Sequence, residues 1–64
     1  MKNDDLKETT IALYARSLFD QFGRKALAIA ARRRREFEDS GVQDKANNWR
    51  RIRLALGQIN EADQ

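Results

Sequence analysis

The chain has 64 residues, with 13 Lys or Arg against 10 Asp or Glu (net charge +3), three glycines, and no proline, cysteine or histidine. Disulfides are thereby excluded, zinc would find only carboxylate ligands, and no side chain has an ordinary pKa suited to proton transfer or nucleophilic attack near neutral pH. A single domain of this length hides only about 60% of its unfolded surface, which favours close helix packing supplemented by a partner subunit.

Charge is unevenly distributed. Residues 1–22 sum to −1, residues 23–41 to +3 and residues 42–64 to +1. The basic balance therefore belongs to the middle third, and a pI near 9.8 overstates it. Met1-Lys2-Asn3-Asp4-Asp5 does not read as the start of a secretory leader. The longest apolar run, Ala26 to Ala31, is far short of a membrane span. The expectation is a cytoplasmic protein with no membrane partner.

Ala, Leu, Arg, Glu, Gln and Lys dominate, and glycines at 23, 41 and 57 are the main punctuation. The pattern predicts an all-α, three-helix domain with helices at about 5–22, 24–39 and 42–59, flanked by polar tails at 1–4 and 60–64. In the first helix Asp5 and Glu8 have capping-box spacing. Ile11, Tyr14, Ala15, Leu18, Phe19 and Phe22 form one stripe of a 3.6-residue period. Gly23 is expected to end that helix in a left-handed conformation.

The second helix has a thinner face of Ala26, Leu27, Ala30, Ala31 and Phe37. Its small residues imply close approach by a neighbouring helix. Ser40-Gly41 ends it, and the third helix carries Val42, Ala46, Trp49, Ile52, Arg53, Leu56 and Ile59 at helical spacing, with Leu54 off the stripe. Gly57 is expected to fray or end the last turn. The second and third helices should form an antiparallel hairpin, with the first packed across them.

Catalysis finds little support. Tyr14 lies on an apolar stripe, and the carboxylates Glu36, Glu38 and Asp39 have arginines one turn earlier as ion-pair partners. No catalytic residue, metal ligand or cofactor is expected. Gly23-Arg24-Lys25 sets two bases at a helix start but lacks the paired glycines of a nucleotide-binding loop.

The run Arg32-Arg33-Arg34-Arg35, with Arg50, Arg51 and Arg53, is the candidate nucleic-acid contact. Against it, four consecutive helical residues fan through about 300°. In addition, Arg32, Arg34 and Arg35 are spaced to pair with Glu36, Glu38 and Asp39. A helix-turn-helix reading is weakened because the base-reading positions of the third helix would be Gln43, Asp44 and Lys45, one of them acidic. A membrane-surface helix is disfavoured because the Trp49 stripe is needed to build a core.

Tyr14-Ala15, Leu18, Gly23, Lys25-Ala26, Gly41, Ala46 and Trp49-Arg50-Arg51-Ile52 resemble a group of short, all-helical proteins of alphaproteobacteria. They share a Gly-x-Lys-Ala... Ala-x-x-Trp-Arg-Arg-Ile pattern over about residues 14–55. The resemblance implies a soluble three-helix protein of bacterial origin. It carries no activity to transfer, and the four-arginine run lies outside the pattern.

The expectation is thus a non-enzymatic protein-interaction module working through apolar helix faces, as a homo-oligomer or with a protein partner. Its contacts are expected among Tyr14, Leu18, Phe22, Phe37, Trp49 and Leu56, which the sequence does not divide between core and interface. The alternative is nucleic-acid binding through the arginines.

Overall fold

The structure, a computed structural model, describes residues 7–62. They form three helices, α1 (Glu8–Phe22), α2 (Lys25–Asp39) and α3 (Gln43–Ala62). α3 is the central element: α2 packs on it as a hairpin, while α1 lies mainly on α3 and touches α2 lightly. The all-α hairpin-plus-one arrangement is the expected one, with three differences at the helix ends.

The first concerns the start of α1. Lys7 is the N-cap, extended at φ −71° and ψ 156°, with no side-chain capping bond. Glu8 is therefore the first helical residue and not the third, which takes it out of capping-box register; Asp5 lies outside the described residues. The second is Gly23, whose φ of 60° is positive as expected but whose ψ of −137° lies outside the left-handed helical region. Its amide still bonds the Phe19 carbonyl at 2.7 Å. The third is the end of α3. The helix runs through Gly57 to Ala62, so residues 60–62 are helical. A mid-helix glycine costs about 1 kcal/mol, and full burial of Leu56 with partial burial of Ile59 on either side of it outweighs that.

The α2–α3 turn is a Schellman motif. The Val42 amide bonds the Phe37 carbonyl at 2.9 Å and the Gly41 amide bonds the Glu38 carbonyl at 3.1 Å. Gly41 sits at φ 78°, a conformation a β-carbon disfavours. The Val42 carbonyl then accepts the first α3 bond, from the Ala46 amide. The turn thus ends one helix and starts the next with no spare residues.

The core is narrow. Among the described residues its buried apolar side chains are Ile11, Ala15, Ala26, Ala30, Ala46, Ile52 and Leu56. Four of these seven are alanines, so much of the interior is backbone brought close to backbone. Leu18, Phe19, Leu27, Trp49, Ala55 and Ile59 cover it as partly buried neighbours. Leu54, off the stripe, is 61% exposed. No described helix is long and apolar enough to cross a membrane.

Candidate functional site

Because α1 and α2 barely touch, α3 is left visible between them, and a cleft opens over it. Its floor and walls are Tyr14, Leu18 and Phe22 of α1, Ile29 and Phe37 of α2, and Trp49 of α3. The volume is about 510 Å³, with Arg32 and Arg33 on the α2 lip. Tyr14 and Trp49 meet edge to face, with centroids 5.5 Å apart and planes at 68°, the favoured geometry for two aromatic quadrupoles. Tyr14 and Phe22 each keep 44% of their surface in solvent. Five of the six expected interaction residues thus line one cleft. The sixth, Leu56, is fully buried and belongs to the core.

Around Tyr14 the α1 surface continues outward as Thr10, Leu13, Ser17, Leu18 and Gln21. These positions follow helical spacing and carry no charge. Leu13 is 67% exposed. Beyond Phe37 the cleft meets Val42, Asp44 and Lys45, where charges of both signs occur.

The arginines fall into separate places. Arg34 is partly buried and donates to Glu38 at 2.9 Å; Arg50 of α3 reaches the same carboxylate oxygen at 3.3 Å. Glu38 is therefore a clasp between α2 and α3, and these two arginines serve the hairpin. Arg33 pairs at 3.9 Å with Glu36 at i+3. That pairing replaces the expected Arg32–Glu36 contact, and no Arg35–Asp39 ion pair forms among the described residues. Arg51 approaches Glu8 of α1 at 3.8 Å, whereas Arg35 and Arg53 are exposed. The seven arginines do not share one surface.

No known family model matches this sequence. No curated protein and no solved structure matches it either.

Asn48 falls outside the apolar stripe expected for the third helix, yet it is 8% exposed and lies on the cleft wall beside Trp49. The signal was present: Asn48, Ile52, Ala55 and Ile59 form a row at steps of four, three and four. No buried side-chain polar atom among the described residues lacks a hydrogen-bond partner.

The hydrogen bond from Arg34 pulls the Glu38 carboxyl below its ordinary value of 4.5; partial desolvation opposes this, and the charges of Arg34 and Arg50 add to the lowering. A depressed carboxyl pKa stabilises the fold above its unfolded value, and that contribution is lost as pH falls through the folded value. Glu38→Gln should therefore cost stability at pH 7, with a penalty that shrinks as pH falls below 4.5. Urea midpoints of both proteins at pH 7 and pH 3 measure this. A gap that stays constant across that range would show that the clasp does not depend on the Glu38 charge.

Proposed function

We propose that this protein is a non-enzymatic protein-interaction module whose working surface is the cleft over Trp49 and the adjoining outer face of α1. The observation that carries the reading is the exposure of Tyr14 and Phe22, 44% each, on the α1 wall of the cleft, with Leu13 (67%) on the adjoining outer face beside Tyr14, in a chain with so small a core. Large exposed apolar groups gathered in one place mark interaction surfaces, and aromatics are enriched in such contacts. The absence of His and Cys from the sequence supports the non-catalytic half of the proposal. Self-association fits the uncharged α1 face, and the expected form is a homodimer in the cytoplasm. The resemblance to short alphaproteobacterial helical proteins agrees with this reading but adds no activity.

Nucleic-acid binding is the reading to test against. Arg32 and Arg35 are the useful probes, because neither forms an ion pair among the described residues and changing them breaks no clasp. Gel shifts with a generic duplex at several salt concentrations should show weak binding, unchanged in Arg32→Gln/Arg35→Gln. Sedimentation of the same preparation should give a mass near twice 7.5 kDa. A steep negative slope of log affinity against log salt that flattens by about 1.8 in the double variant, roughly 0.9 per lost phosphate contact, would overturn the proposal in favour of phosphate binding.

A further inference from the structure

The charge around the cleft identifies what kind of partner helix fits it. Phe22, Leu18 and Tyr14 follow one another at single-turn steps along α1, so the apolar wall is about 12 Å long. That length matches three apolar anchors on successive turns of a docked helix. The opposite lip carries Arg32 and Arg33, and no carboxylate lines this part of the cleft. Arg32 has no ion pair among the described residues. Arg33 reaches Glu36 only at 3.9 Å, with both side chains more than half exposed (56% and 57%). These two guanidinium groups are therefore free to turn toward an occupant.

We infer that the cleft binds an amphipathic α-helix of another protein whose apolar row is flanked by acidic residues. The apolar row lies on Tyr14, Leu18, Phe22 and Trp49, and the acidic flank faces Arg32 and Arg33. Such an occupant gains from both components: burial of exposed ring surface, and charge-assisted hydrogen bonds to two arginines whose forks suit carboxylates. A helix with a basic flank would meet like charge along the lip. A second copy of this chain fits the cleft less well, because the α1 face through which it would self-associate, with Thr10, Leu13, Ser17 and Gln21, offers no carboxylate to this lip. The inference rests on the proposed interaction surface and adds the chemistry of the partner.

Trp49, the only tryptophan, lies in the cleft and reports occupancy by its fluorescence. The probes are two amidated 15-residue helical peptides with the same Leu row, one with Glu and one with Lys at the flanking positions. The Glu peptide should shift Trp49 emission and bind at least about tenfold more tightly than the Lys peptide, a difference of about 1.4 kcal/mol. Arg32→Glu/Arg33→Glu should invert that preference. Arg35→Glu/Arg53→Glu makes the same change in net charge away from the cleft and should leave the order of preference intact. Circular dichroism on each variant confirms the helical fold.

Failure of both peptides to bind, equal binding of the two, or inversion by the remote pair as well as by the cleft pair would each overturn the acidic-helix inference. Equal binding would leave the apolar interaction surface standing. The nucleic-acid salt slope bears on that broader reading alone, so the two can fail separately.

Discussion

Leu56→Ala is expected to lose about 2–5 kcal/mol of stability, the usual cost of truncating a fully buried leucine. Leu56 has no exposed surface and lies in the cluster where Ile11, Ala15, Ala26, Ala30 and Ile52 converge. Among the described residues its one large, fully buried companion is Ile52, so few neighbours can move in to close the cavity. The whole fold of a chain this size is worth only about 3–10 kcal/mol, at roughly 0.05–0.15 kcal/mol per residue. The variant should therefore be partly or wholly unfolded at room temperature. Leu54→Ala is the matched control, since the same side chain two positions earlier is 61% exposed. Its urea midpoint should move little. Comparable losses in the two variants would mean that α3 does not bury the face assigned to it.

How the core and the cleft divide the apolar residues was only partly legible in the sequence. Periodicity within a helix gives the direction of its apolar stripe, and it correctly set Ile11 with Ala15 on α1, Ala26 with Ala30 on α2, and Ile52 with Leu56 on α3. It says nothing of how wide a gap separates two stripes. Tyr14 and Phe22 share the α1 stripe with Ile11, yet Tyr14 stands at its edge and Phe22 at the last residue of the helix, where α2 does not come close enough to cover them. That distance follows from how α1 sits on α3, a tertiary fact no single helix encodes.

The helix ends show the same limit. Gly41 was legible as a stop because its positive φ is a property of the residue itself. The Phe37–Val42 bond that completes the motif joins positions five apart across the turn, and an i, i+3, i+4 pattern does not register it. Gly57 was misread because propensity was weighed without the buried neighbours that hold the helix through it. In the arginine run the expected i+4 pair Arg34–Glu38 forms, whereas Arg33 takes Glu36 in place of Arg32. Local i+4 counting also cannot see Arg50 arriving at Glu38 from α3.

The alanines of α2 make the strongest claim about geometry, and Ala30→Leu tests it. Ala30 is fully buried in the core cluster, on the helix that packs most extensively against α3. Three added carbons there have to push α2 away from α3 or force neighbouring side chains off their rotamers, at a cost of about 1–3 kcal/mol. Leucine and alanine differ little in helix propensity, so the loss reports packing and not the helix itself. Ala28→Leu isolates the difference: position 28 is exposed on the same helix, and there the substitution should be nearly neutral. The displacement should also widen the cleft and carry Arg32 and Arg33 away from Trp49, so Ala30→Leu is expected to weaken the Glu peptide's effect on Trp49 emission at temperatures where the variant is still folded. If Ala30→Leu melts with Ala28→Leu and the wild type, the two helices have slack between them. The cleft would then owe its shape to something other than the close α2–α3 contact.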